Sequence, residues 1–252
     1  MAIAIDSISA LLDPAIFIVK GTGLTVALIL GAMLMGLVVG VPLSAVQVYG
    51  PRWAKFLAGT YVWFFRGIPI LVLLFIFYFG VFSPMEAFLT KLAGYRVNLP
   101  FLAAVTTLGL ASGAYQSQIF RGAINSLHAG QYQAALSLGF SRTGALAHII
   151  LPQALRLAIP SWANEYSILL KDSAIAYVLG TLEIMSRVKL MVAATHMHVP
   201  FYIQAGVIYY FLTWVGLKGL RTLERHTRIP GLGVDQENPQ GIELEKPEER
   251  TA

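Results

Sequence analysis

The chain has 252 residues, 56 % of them hydrophobic and 12 % charged, with a net charge of +5. Soluble globular proteins carry about 25 % charged residues, so the composition points to an integral membrane protein. The basic residues sit at segment ends, which excludes a nucleic-acid-binding face, and the lack of cysteine excludes disulfides, thiolate metal sites and cysteine nucleophiles.

The N-terminal stretch MAIAIDSISALLDPAIFIVKG lacks a basic start and carries Asp6 and Asp13. The apolar run behind it is too long for a signal peptide, so no cleaved leader is expected, and residues 1–20 read as an extracytoplasmic segment. Runs of about 20 apolar residues then mark spanning helices. The first is Leu24–Val46, which has no charge. The second lies within Phe56–Phe82 and is interrupted at FFRGIPI, where Gly67 and Pro69 disturb the helical ladder. This predicts a short interfacial helix from Arg52 to Phe65, a break at Gly67–Pro69 and then the span proper, with Arg66 a structural charge that snorkels to water. The third span is Pro100–Phe120, the fourth Leu155–Leu179 and the fifth Phe201–Leu220. The expected fold class is therefore all-α, with five transmembrane helices within residues 21–228 and the termini on opposite sides.

Orientation follows from the basic residues. One side holds Arg52, Lys55, Arg121, Arg142, Arg156, Lys218, Arg221, Arg225 and Arg228; the other holds Lys20, Lys91, Arg96, Arg187 and Lys189. The richer side belongs in the cytoplasm, which puts the N-terminus outside and the C-terminus inside. Residues 229–252 form a polar, acidic, proline-bearing tail that is expected to be disordered. GLVVG (Gly36, Gly40) and GLASG (Gly109, Gly113) are small-residue pairs that let backbones approach closely, within one subunit or between two. The five histidines show no metal-ligand spacing, and His196 and His198 in THMHVP read as a loop.

One stretch on the cytoplasmic side is mixed in polarity: QYQAALSLGFSRTGALAHIILP, residues 131–152. Ala134 and Ala135 leave a shallow helix surface that can lie in a groove. Gly139 is placed to end the helix in a left-handed cap, and Pro152 to start the next span, where a missing N–H costs nothing. The spacing of Gln133-Ala134-Ala135, three residues, Gly139, nine residues and Ile149-x-Leu151-Pro152 resembles the EAA loop of ABC-transporter permease subunits, with Gln133 where the family has Glu. Together with GTGLTVALIL, FFRGIPILVLLFIFYFG, GAYQSQIFRGAINSLHAGQYQAALSLG and LPQALRLAIPSWANEYSILLKDSAIAYVLG, it resembles the polar amino acid permeases of the histidine/arginine/glutamine uptake group over about 200 residues. Gln118 is a second departure, where the family usually has Glu.

The resemblance implies a type I ABC importer fold with a cytoplasmic coupling helix between the third and fourth spans. Gln133, Ala134, Ala135, Gly139, Arg142 and Pro152 would carry the coupling to a cytoplasmic ATP-binding cassette ATPase dimer. It also implies a second permease subunit, the same or homologous, and an extracytoplasmic amino-acid-binding protein. The chain has no G-x-x-x-x-G-K-[ST] phosphate loop, so it is not expected to be an enzyme or to hold a cofactor. ATP and magnesium would belong to the partner ATPase.

The fourth span holds charges. Glu165 lies nine residues beyond Arg156, about 14 Å deeper at 1.5 Å per residue, near the midplane of a bilayer core about 30 Å thick. A carboxylate there should face a cavity or a partner. Ser161, Asn164, Glu165, Ile168 and Asp172 follow i, i+3, i+4, i+7 spacing and form one polar stripe with Lys171 beside it. Glu165 and Asn164 are read as binding a substrate ammonium or guanidinium, with Ser161 on the stripe, Trp162 as a wall, and Tyr115 and Gln118 contributing from the third span. Lys171 and Asp172 are read as structural charges. The expected function is the membrane subunit of an ATP-driven importer of a polar, cationic amino acid across the inner membrane. Alternatives are another small polar solute of the glutamine, glutamate, opine or ectoine type and, more remotely, an intramembrane enzyme or a proton-coupled carrier.

Overall fold

The computed structural model describes residues 14–95, 97–128 and 130–227. Arg96, Arg228, most of the N-terminal segment and the 229–252 tail lie outside the described residues. Every regular element among the described residues is helical. The first long helix, α1, runs Thr22–Tyr49 and carries Pro42 inside it. Helix α2 spans Arg52–Gly67, and α3, Ile70–Phe77, continues into a π turn at Tyr78–Phe82. Between them, extended backbone at Ile68 and Pro69 bends the pair by 107°. The break falls where Gly67 and Pro69 predict it, because Pro69 has no N–H to give and pushes Ile68 out of the helical region.

A short helix α4, Glu86–Ala93, ends at left-handed Gly94 (φ 74°). Helix α5, Leu99–Ser126, starts where Asn98 accepts a hydrogen bond from the Phe101 N–H at 3.2 Å. After α6, Gly130–Ser137, Ser141 caps a new helical path by accepting from the Gly144 N–H at 3.1 Å. That path runs through α7, Arg142–Ala145, a π turn at Leu146–Ile150 and α8, Leu151–Asp172, before tightening to a 3-10 turn at Ser173–Leu179. Pro152 sits in the first turn of α8, where the sequence places it, but the backbone ahead of it is already helical. The preceding π turn opens the ladder by one residue and accommodates the missing donor. Helices α9, Ile184–Thr195, and α10, His198–Thr227, are the last described elements.

Helices α1 and α5 form the most extensive pair, and the two small-residue motifs meet across it. A Cβ on Gly40 would lie 3.1 Å from the Gly113 carbonyl oxygen, and one on Gly109 would lie 2.8 Å from Met35 Cβ. The close approach these motifs permit is thus used within one subunit. The main core joins Leu28 and Ala32 of α1, Ala104 and Leu108 of α5, and Leu169 and Leu170 of α8. A second cluster packs Phe65 and Leu73, on either side of the α2–α3 break, against Ala111 and Ala114 of α5. A third holds the π turn, through Ile150, against Phe120 and Ile124.

At the other end of the bundle, buried Glu183 caps α9. It accepts from the N–H groups of Met185 and Ser186 at 2.9 and 2.7 Å and from the Tyr209 hydroxyl at 2.9 Å. Thr25 of α1 accepts from the Ile184 N–H at 3.3 Å. Helix α9 is thereby tied to both α10 and α1.

Candidate functional site

The break between α2 and α3 leaves Arg66 at the end of α2, beside α5 and α8. Its guanidinium stacks over the Tyr115 ring, 4.9 Å from the centroid. Together with Glu165 on α8 it lines a cavity of about 500 Å3, within the size range of small-molecule pockets. Tyr115 and Gln118 come from α5, and Ser161 and Asn164 from α8. Apolar walls are supplied by Ile119, Pro160 and Ile168.

Residues 161, 164, 165 and 168 share one face of α8, as their spacing predicts, and the fold turns that face to the cavity. Trp162 lies outside the lining: its indole points into the bundle and donates to Gln116 Oε1 at 2.8 Å. Lys171 is exposed and Asp172 half-buried at the end of α8, and neither lines the cavity.

Two residues beneath the cavity were not singled out by the sequence. Ser112 Oγ donates to Glu165 Oε1 at 2.7 Å, the short distance of a charge-assisted hydroxyl bond. Gln116, fully buried, donates to Ser112 Oγ at 3.0 Å and to the Met33 carbonyl at 3.2 Å. Arg66 is exposed, as a snorkelling charge would be, and it also lies on the cavity. Its only sequence signal is the Gly-x-Pro break directly behind it, which lets a helix end turn inward. Ser112 and Gln116 carry no such signal, since small and polar residues are common on packed helix faces. On the cavity edge, Gln118 Nε2 donates to Gln47 Oε1 at 2.9 Å.

A guanidinium and a carboxylate on one cavity can receive a zwitterion by both ends, and the amide of Asn164 adds donor and acceptor capacity. Among the described residues no group of three or more His, Asp or Glu is arranged to hold a metal ion.

The second feature is α6. Gly139 takes φ 87°. The Phe140 N–H donates to the Ala135 carbonyl at 3.1 Å and the Gly139 N–H to that of Leu136 at 3.0 Å, the paired bonds of a Schellman cap. Ala135 is buried against the bundle, whereas Gln133 and Ala134 face outward. Tyr132 packs on Tyr49 at 4.7 Å between ring centroids, and Gln153 Nε2 donates to Gln131 Oε1 at 2.7 Å. The helix is thus braced on α1 and α8, with Leu138 78 % exposed at its end. Of the other residues expected to act with it, Arg142 is exposed at the start of α7 and Pro152 lies in the first turn of α8.

A helical bundle with a polar cavity at a broken helix and a braced, outward-facing short helix has the form of a membrane transport subunit. The chain belongs to the family of binding-protein-dependent transport system inner membrane components, whose model matches residues 32–228.

Its relatives include the arginine transport system permease protein ArtQ of Bacillus subtilis, 35 % identical over 207 residues that cover 82 % of this chain and 90 % of that one. The octopine transport system permease protein OccQ of Rhizobium meliloti is 33 % identical, with 81 % and 87 % covered. A putative glutamine transport system permease protein GlnP of Rickettsia bellii is 36 % identical, with 78 % and 86 % covered. Among solved structures, an amino acid ABC transporter crystallised with histidines superposes with a TM-score of 0.71 at 28 % identity, covering 86 % of this chain and 97 % of that chain. The inward-facing MetNI methionine ABC transporter shares the fold at TM-score 0.67 and 18 % identity, with 84 % and 97 % covered. The fold is that of the membrane subunits of type I ABC importers, and the chain is a transport component of the membrane.

Proposed function

We propose that this chain is the membrane-spanning subunit of an ATP-driven importer that carries a polar, cationic amino acid through the cavity between α2, α5 and α8. The observation that carries the substrate class is Glu165, 5 % exposed and lining that cavity. Its Oε1 is taken by Ser112, and no described side chain donates to Oε2. A carboxylate at membrane depth with one oxygen undonated is expensive; the Arg66 guanidinium on the same cavity offsets part of that cost, and a ligand ammonium or guanidinium offsets the rest. Arg66, across the same cavity, matches an α-carboxylate. The names of the relatives, arginine, octopine and glutamine among them, fit a solute with an α-amino acid end.

In this reading the chain crosses the membrane five times, N-terminus outside and C-terminus in the cytoplasm, through α1, the bent α2–α3 pair, α5, α8 and α10. Helix α6 docks a cytoplasmic ATPase, to which its exposed Gln133, Ala134 and Leu138 are offered. ATP and magnesium belong to that ATPase. An extracytoplasmic binding protein delivers the amino acid, and a second permease subunit completes the passage.

The test is uptake by proteoliposomes that contain the ATPase and are supplied with the binding protein. Glu165→Gln is expected to lower cationic uptake at least about tenfold, which corresponds to about 1.4 kcal/mol, while the complex still assembles. Unchanged uptake of every amino acid by that variant would make Glu165 a structural residue.

A further inference from the structure

Trp162, Gln116 and Ser112 beneath the cavity and Glu165 on its wall form a chain whose direction is fixed at every step. The Trp162 indole nitrogen can only donate, and it meets Gln116 Oε1 at 2.8 Å. The Met33 carbonyl can only accept, and it meets Gln116 Nε2 at 3.2 Å. These two fixed-role partners, on α8 and α1, independently impose the same orientation on the Gln116 amide. Its nitrogen is then obliged to donate to Ser112 Oγ at 3.0 Å. With that lone pair occupied, the Ser112 proton points the other way, to Glu165 Oε1 at 2.7 Å. Gln116 and Ser112 are 0 % and 1 % exposed, so no bulk water competes for these positions. Gly36 leaves the room the amide occupies, because a Cβ there would collide with Gln116 Nε2.

We infer that Trp162, Gln116 and Ser112 are positioning residues that set the preference for a cationic solute, by holding Glu165 Oε1 inside the bundle and presenting Oε2 to the cavity. The inference rests on the reading of Glu165 as the acceptor for the solute's cation. A carboxylate free to rotate would divide its oxygens between cavity and protein. One held by a single buried donor offers the same acceptor in the same place at every encounter, which favours a donor-rich cation over a neutral amide.

The experiment measures the ratio of arginine to glutamine uptake by proteoliposomes of the assembled transporter, at limiting amino acid and with the same binding protein throughout. Ser112→Ala and the near-isosteric Gln116→Met are each tested alone and combined with Glu165→Gln. Each single variant is expected to lower the ratio by roughly an order of magnitude and to lower it no further once Glu165→Gln is present. A residue that acts only on packing would add its effect to that of Glu165→Gln, since independent sites are additive. Should Gln116→Met fail to co-purify with the ATPase, Ser112→Ala, which removes one oxygen atom, decides alone. If Glu165→Gln shifts the ratio while Ser112→Ala does not, or if their effects add in full, the positioning role is overturned and the site reading stands. If Glu165→Gln itself leaves the ratio unchanged, the site reading falls and the positioning role with it.

Discussion

A methyl group on Gly36 has no space, because it would collide with the Gln116 amide that bridges α1, α5 and α8. Gly36→Ala is therefore expected to lower stability by about 1–3 kcal/mol, the range for overpacking a tight site. Gly59→Ala on α2 meets nothing within 4 Å and should be neutral or slightly stabilising, since alanine is the better helix former. Thermal unfolding of the two variants in detergent checks the contrast; equal midpoints would mean that the α1–α5 contact is looser than described. Part of this site could be read from spacing alone. Residues 161, 164, 165 and 168 share a helical face whatever the fold, and a carboxylate in an apolar span signals a cavity or a partner. Arg66, Ser112 and Gln116 join the same site only through the packing of α2 and α5 on α8, which no local pattern encodes. Trp162 sits on α8 next to the cavity-facing Ser161, but successive helical residues point about 100° apart, and its ring turns into the bundle.

At the scale of elements, punctuation was legible and compensation was not. The Gly67–Pro69 break and the Gly139 cap follow from backbone rules that act within a few residues. Pro152 falls in the first turn of α8 as those rules place it, but they give no sign of the π turn that joins α7 to α8 ahead of it. Helix α9 gave no signal, since its cap is a buried glutamate stabilised by Tyr209, 26 residues away.

Two expectations belong here. Gly139→Val forces a β-branched side chain into φ 87°, where even a single left-handed residue costs about 1–2 kcal/mol. It should redirect α6 and abolish uptake and ATPase co-purification while the protein still inserts; retained co-purification and uptake would remove α6 from the coupling path. Glu183→Ala removes the cap of α9 and should cost about 1–2 kcal/mol, read as a lower unfolding midpoint in detergent. An unchanged midpoint would show that α10 packing alone holds α9 in place.

At the scale of the whole molecule, orientation and energy coupling are one question, because α6 can meet an ATPase only from the cytoplasm. The chain lacks cysteine, so a single one can be introduced at exposed Ser141. An impermeant thiol reagent added to intact cells is expected to leave it unlabelled and to label it after the membrane is opened. Labelling in intact cells would invert the topology.

The central claim, ATP-driven import of a cationic amino acid through this chain, is tested most directly by arginine accumulation in proteoliposomes that hold the chain with its ATPase and are supplied with its binding protein. Accumulation above the external concentration is predicted only when ATP is supplied on the side α6 faces, and it should be lost in Glu165→Gln. Accumulation without ATP, or ATP-driven accumulation that Glu165→Gln leaves intact for every amino acid, would contradict the account.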